Sequence, residues 1–455
     1  MRRNLRCFTI VLSLLAPIIP LHPQANTAAP KETAQKQGGE GPPANAVAGS
    51  PDVAFVDVTL IDVVAGVEKP GMTVVVSRNR IVRVGPAKEI SLPDSTKRIQ
   101  ASGKFLIPGL WNMHVHLGNA TEAALPALVA SGVTTVRDMG SPDYGTLKRW
   151  SIEALTGQRI GPRIFAAGPI VDSGVPDANR YIVNNPEEGR RAVDDLARQG
   201  VDFIKVHEHL SRETYFAIAY EARLLGIPFA GHVPVGPNGF AVSAIEASNA
   251  GQKSLEHFYG IPFAPDDPTV PEMLAAFRRN GTWVCPTLIV FWNRAHFKEL
   301  NAGRASIVKQ VAPSLVSFWD GQLKEFSPDE KVPNILLSVR TAEIKILATA
   351  HIPLLAGTDL GFAYVLPSDL SKELELMVDA GLTPMEALRT ATINPAIFMN
   401  RDSEMGSINE AKIADLVLLD DDPIQNIHAI EHVDGVMANG KFMTHAELAE
   451  AFATF

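Results

Sequence analysis

Gly109-Leu-Trp-Asn-Met-His-Val-His-Leu117 is the stretch from which the rest of the sequence becomes readable. Its first half is apolar, as suits a strand covered on both faces, and its second half carries His114 and His116. Alternate side chains of a strand share a face, so both imidazoles can reach one ion. In barrels of parallel strands, catalytic groups gather at the C-terminal strand ends, which is where this pair falls.

Outward from that run, strand and helix patterns alternate. Strand candidates are 109–117, 132–138, 162–171, 201–207, 227–233, 253–258, 282–290 and 352–359. Asn185-Pro-Glu-Glu188 supplies an N-cap, a proline at the first helical position and a glutamate at the third, followed by apolar Ala192, Val193, Leu196 and Ala197. Thr383-Pro-Met-Glu386 repeats that start signal. The stretch 291–351 exceeds one helix and implies two helices plus an excursion. Such alternation predicts an α/β chain with a parallel sheet, and eight repeats favour closure into a (β/α)8 TIM barrel over 109–404. A doubly wound open sheet is the alternative. At either side, 53–108 and 405–455 carry short β-branched runs that read as parts of one small β domain, with Asn439-Gly440 as a tight hairpin signal.

The N-terminus reads differently. Arg2, Arg3 and Arg6 precede an apolar run, Cys7 to Leu21, that Pro17 and Pro20 interrupt. That run is short for a bilayer span and fits a secretory signal over 1–25, with small residues at Ala25, Ala28 and Ala29 for cleavage. A retained anchor is the rival reading. Residues 26–52 lack periodicity and read as a disordered linker. The expectation is an exported protein, periplasmic or secreted. Loss of the leader would leave only Cys285, so no intramolecular disulfide forms.

Apolar residues make up 46% and charged residues 20% of the 455, a globular balance. A net charge of −9 disfavours nucleic acid, whose phosphates need a basic face. The expected partner is a small-molecule substrate; a homo-oligomer stays open, and no membrane is expected after signal removal.

The chemistry lies at the remaining strand ends. His232 closes IPFAGHVP, His257 closes SLEHF and Asp359 closes LLAGTDLG. A single histidine at a strand end is usually a packed or surface residue. Four histidines and an aspartate at the same end of successive strands are hard to explain by packing. Lys205 lies inside the apolar strand of VDFIKVHEHL, where an unpaired ammonium is expensive. It reads either as half of a buried ion pair or as a carbamate, made with carbon dioxide, that could bridge two cations.

This ordered set resembles the binuclear amidohydrolase superfamily, in its imidazolonepropionase-like and Xaa-Pro-dipeptidase-like branch. The phrases that carry it are PGLWNMHVHL, GVTTVRDMG, GVDFIKV, EARLLGIPFAGHVP, AGQKSLEHF, LLAGTDLG, LTPMEALRTATINPA and KIADLVLLD, within 53–445. The resemblance implies a TIM barrel with a β-sandwich made from both chain ends. It implies that His114, His116 and Asp359 hold one metal, that His232 and His257 hold a second, and that carboxylated Lys205 bridges them. It further implies hydrolysis by a metal-bridging hydroxide, with Asp359 as the proton carrier. Zinc suits the histidine-rich set, and manganese or cobalt would also be accepted. Asn112 departs from the family, which usually has aspartate two residues before the first histidine. Trp111 is bulkier than usual, and Glu410-Ala-Lys412 replaces the family's EGK.

Other candidates carry weaker signals. His207 shares the face of Lys205 and is expected to meet substrate or an extra metal, or simply to be a bonded rim histidine. Arg180 and Tyr181 precede the helix after the third strand, where a guanidinium could meet a substrate carboxylate, though a solvated loop is the plainer reading. Cys285 reads as a core residue. The expected reaction is cleavage of a C–N amide bond in a small peptide or N-acyl amino acid. Cyclic amide, lactone or ester hydrolysis is the neighbouring alternative, and a non-catalytic metal-binding barrel the distant one.

Overall fold

The computed structural model describes residues 53–174, 176–262, 266–324 and 331–453. The expected signal at 1–25 and linker at 26–52 fall outside the described residues.

Both chain ends contribute to one eight-stranded sheet. Its order runs Lys441–Thr444, Val433–Ala438, Leu416–Leu419, Phe105–Pro108, Val53–Asp62, Val67–Ser77, Arg80–Pro86, with Lys97–Gln100 also on Val53–Asp62. The join between the two ends is antiparallel, Leu416 opposite Pro108 and Leu419 opposite Phe105. The hairpin read from Asn439-Gly440 forms, with φ of 48° and 81° at the two turn residues and Ala438 opposite Lys441. The far edge bonds the segment leading into Leu416: Ala411 N–H donates to Ile81 at 2.8 Å and Ile81 N–H to Lys412 at 2.9 Å. Phe55, Val58, Val74, Ile81, Leu106, Leu416 and Met437 thereby form a core separate from that of the middle section.

The middle section is α/β with parallel strands. Leu110–Val115, Val133–Asp138 and Arg163–Ala166 form one sheet. Ile170–Asp172, Ile204–Val206, Phe229–Gly231, Ser254–Glu256 and Trp283–Cys285 form another, edged by Arg180–Ile182. Backbone bonds cross both seams. Asp202 N–H reaches Ala166 at 3.0 Å on one side. On the other, the extended segment 353–360 accepts and donates between Val284 and Leu110–Val115, including Leu355 N–H to Val284 at 3.0 Å and Asp359 N–H to His114 at 2.8 Å. That segment takes the place of the strand expected at 352–359, as bridges rather than a continuous ladder.

Helix Pro186–Gln199 starts at its Asn185 cap and buries Ala192, Val193 and Leu196; Pro384–Thr390 starts at a Thr383 capping box. Two strand expectations need correction. The run 162–171 is split after Ala166, with Gly168 in the left-handed region at φ 69°. The run 282–290 ends at Cys285, and Leu288–Ala295 is helical. Pro286 has no N–H to continue the ladder, and the buried Glu373 carboxylate accepts from the N–H groups of Leu288 and Ile289 at 2.9 and 2.8 Å, capping a helix there. The stretch 291–351 holds the two expected longer helices, Pro313–Leu323 and Lys331–Thr349, with short helical turns before them.

Candidate metal centre

The strand ends bring His114, His116, Lys205, His232, His257 and Asp359 into one cluster. Ring centroids step from His116 to His114 at 5.3 Å, to His257 at 4.5 Å, to His232 at 5.0 Å and to His207 at 4.2 Å. Asp359 Oδ1 lies 3.2 Å from His116 Nε2 and 3.5 Å from His114 Nε2. Two glycines let the backbones approach. A Cβ on Gly231 would sit 2.2 Å from the Val206 carbonyl and 2.9 Å from Lys205 Cδ. A Cβ on Gly357 would sit 2.8 Å from that of His114.

Three of the imidazoles are aimed by Nδ1. His116 Nδ1 meets the Gly140 carbonyl at 2.9 Å, and His257 Nδ1 meets Thr287 Oγ1 at 2.5 Å. His114 Nδ1 meets Glu256 Oε2 at 2.8 Å, and Arg137 grips both oxygens of that carboxylate at 2.9 Å. Asn112, at the family's usual aspartate position, ties the first strand to the last. Its oxygen accepts from Thr358 N–H at 3.1 Å, and its amide donates to Thr358 Oγ1 at 2.8 Å.

Charge at the cluster is set by burial. Desolvation, with the positive charge of Lys205 nearby, holds His114 well below the usual imidazole range, and burial brings His257 down to about 4. His232 is likewise depressed, by burial and then by His207. Burial pulls Lys205 down to about 8, although Glu256 and Asp359 oppose it. Those two carboxylates are engaged by Arg137, His114 and His116, so the ion-pair reading of Lys205 gains no direct partner from them. For Asp359 burial acts upward, but the His116 bond and the charges of His257, His116 and Lys205 leave it below the carboxylate range.

These residues fit a divalent cation. Neutral imidazoles offer lone pairs, and His114 Nε2 and His232 Nδ1 are buried without a hydrogen-bond partner. His114, His116 and Asp359 present ligand atoms within 4.8 Å of one another.

A second polar group lies beside His232. Asp172, wholly buried, has Oδ2 3.0 Å from His207 Nδ1 and 2.9 Å from His209 Nδ1. The Arg180 guanidinium contacts the same oxygen and approaches both imidazoles at 3.4 and 3.3 Å, so a cation already occupies the centre of this group. His207 and Arg180 thus stand together at the mouth. Tyr181 does not join them: its hydroxyl donates to Asp195 on the helix Pro186–Gln199 at 2.6 Å. Cys285 is buried and its thiol is pushed far up by desolvation, in keeping with a core residue. Glu256, Arg137 and Asp172 were not singled out in the sequence, although Arg137 in VTTVRD and Glu256 in SLEHF carry the same signal as Lys205, a charge inside an apolar strand.

Strand ends that gather metal-ligating residue types in this way suit a metal-dependent hydrolase of the α/β class. The chain belongs to the amidohydrolase family, whose pattern matches residues 105–443. A crystal structure from Bifidobacterium longum, described as a prolidase, is 26% identical with a TM-score of 0.71, covering 89% of this chain and 98% of that one. A Xaa-Pro dipeptidase with bound methionine is 23% identical, TM-score 0.66, covering 86% and 100%. Among curated relatives, an adenine deaminase of Desulforamulus reducens is 21% identical over 88% of this chain and 60% of its own length. An imidazolonepropionase of a Geobacillus strain is 44% identical over 13% of this chain and 15% of its own. The chain therefore spans less than two thirds of the curated relatives it matches.

Proposed function

We propose that this protein is an exported, binuclear metal-dependent amidohydrolase that cleaves the C–N amide bond of a small peptide or N-acyl amino acid. The observation that carries this reading is the convergence of His114, His116 and Asp359 around a buried, unpartnered imidazole nitrogen, with Lys205, His232 and His257 beside them. We read the parallel strands as a closed eight-stranded barrel, supported by the backbone bonds across both seams, with the sheet from the two chain ends as a β-sandwich. The likeness to the Bifidobacterium longum structure over nearly its full length supports the peptide substrate.

His114, His116 and Asp359 would hold one cation, His232 and His257 a second, and a carboxylated Lys205 would serve both. Such ions, zinc by preference, supply Lewis acidity toward a carbonyl and lower the pKa of water. Asp359, kept ionised by its neighbours, takes the proton of the attacking water and delivers it to the leaving nitrogen. Lys205 must be neutral to react with carbon dioxide, and burial to about 8 raises that neutral fraction over an ordinary lysine. His207 and Arg180 line the mouth on the side where the rest of the substrate would lie. The same site could open cyclic amides, lactones or esters. The long match to an adenine deaminase makes ring deamination the second reading.

Metal content per chain, on protein grown with bicarbonate and purified without chelator, tests this. About two equivalents are expected, with hydrolysis of dipeptides or N-acyl amino acids. Lys205→Ala is expected to lose much of the second equivalent. Both metals surviving that change would remove the bridge, and no uptake even with added zinc would remove the mechanism.

A further inference from the structure

Arg137 and Glu256 are a fully buried pair with no part in the ligand set. Arg137 Nη2 bonds both Glu256 oxygens at 2.9 Å, Nη1 bonds Ser254 Oγ at 2.9 Å, and Nε donates to the Met113 carbonyl at 2.6 Å. Ser254 Oγ also donates to Glu256 Oε1 at 2.5 Å. Phe203 and Phe398 flank the guanidinium at 5.6 and 5.1 Å. Three strands are thereby bolted together beneath the cluster. A buried pair satisfied this fully is costly to assemble, and stability alone is a weak reason to keep one. Its free valence supplies the better reason: Glu256 Oε2 reaches His114 Nδ1 at 2.8 Å.

We propose that Glu256, locked by Arg137, is a positioning residue that selects the tautomer of His114. A carboxylate gripped by a guanidinium has only lone pairs to offer, so the proton of this imidazole must sit on Nδ1. Nε2 is then left as a bare lone pair. That is the atom found buried without a hydrogen-bond partner, 3.5 Å from Asp359 Oδ1. A free neutral histidine prefers its proton on Nε2, where it would block a cation. The Arg137 bond to Met113, next in sequence to His114, fixes the ring's backbone as well as its proton. Partners of this kind behind a ligating histidine set its orientation and basicity. The consequence for metal binding rests on the functional reading above, whereas the tautomer does not.

The test is Glu256→Gln. Arg137 is expected to claim the amide oxygen, turning the NH2 toward Nδ1 and moving the proton to Nε2. 15N NMR of metal-free protein labelled at histidine, with His114→Gln for assignment, reads the tautomer directly. Wild type is expected to show Nδ1–H, and Glu256→Gln to show Nε2–H with metal affinity about 10–100-fold weaker by chelator competition. Glu256→Asp keeps the carboxylate and is expected to retain the Nδ1–H form with affinity much closer to wild type. An Nε2–H signal in the wild type overturns the proposal outright, even if Glu256→Gln fails to fold. So does a folded Glu256→Gln protein with unchanged tautomer and affinity. A wild type that binds no metal but shows Nδ1–H, reversed in Glu256→Gln, would sink the functional reading and leave the role of Glu256 standing.

Discussion

His114 is wholly buried and rests on a carboxylate that is itself held by an arginine and a serine, whereas His209, at the mouth, leaves 54% of its side chain in solvent while reaching Asp172. The inner group, with His116, Asp359, Asn112, Glu256 and Arg137, is fixed by bonds that tie strand to strand. The outer group, with Asp172, His207, His209 and Arg180, is fixed by side chains gathered on one carboxylate oxygen. The first arrangement transmits the rigidity of the sheet to the candidate ligands. The second can rearrange when one member leaves, which suits contacts that follow the shape of a substrate. Inner substitutions should therefore strike turnover, metal and stability, and outer ones substrate affinity.

The largest effect is expected for Asp359→Asn, which should lower kcat by about 10²–10⁴-fold while the protein still melts cooperatively. Near-normal turnover would show that the inner group is not where protons move. Asn112→Ala comes next. It strands the buried N–H of Thr358, and denaturant unfolding should report a loss of about 1–3 kcal/mol. An unchanged midpoint would mean that the first and last strands are held by backbone alone. Arg180→Ala should raise KM roughly tenfold, the scale of one charge-assisted hydrogen bond, with kcat little changed. A fall in kcat without a change in KM would erase the division between the two groups. Tyr181→Phe is the smallest. Its hydroxyl faces Asp195, so activity should stay at wild-type level and stability fall by about 1 kcal/mol or less. A clear rise in KM would bring Tyr181 into the outer group after all.

The six candidates that the structure gathers were picked out by position, five at or near strand ends and Lys205 inside an apolar strand, and position along a strand is a property of sequence. The hairpin at Asn439-Gly440 and the caps at Asn185 and Thr383 were legible for a similar reason: their chemistry is local. Glu256 and Arg137 were not joined in advance. Neither was singled out, and their pairing spans 119 positions that no spacing encodes. Strand length failed at 282–290 for the same cause. The carboxylate that turns Leu288 and Ile289 into a helix start belongs to Glu373, 85 residues downstream of Leu288. Tyr181 was offered as a substrate contact because it precedes the helix after the third strand, but sequence does not reveal which way a ring turns from the three-residue strand it forms.

The antiparallel join of Phe105–Pro108 to Leu416–Leu419 has a consequence in time. Its two partners emerge from the ribosome with the whole middle section between them. The N-terminal strands must wait with an unpaired edge while the whole intervening section is made, and such edges invite pairing with other chains. Closing so long a loop is slow as well. Completion of this sheet is thus governed by the arrival of Leu416–Leu419, and a nascent chain stalled short of Leu416 would carry every candidate metal residue and still lack the clasp that joins the two parts of the sheet.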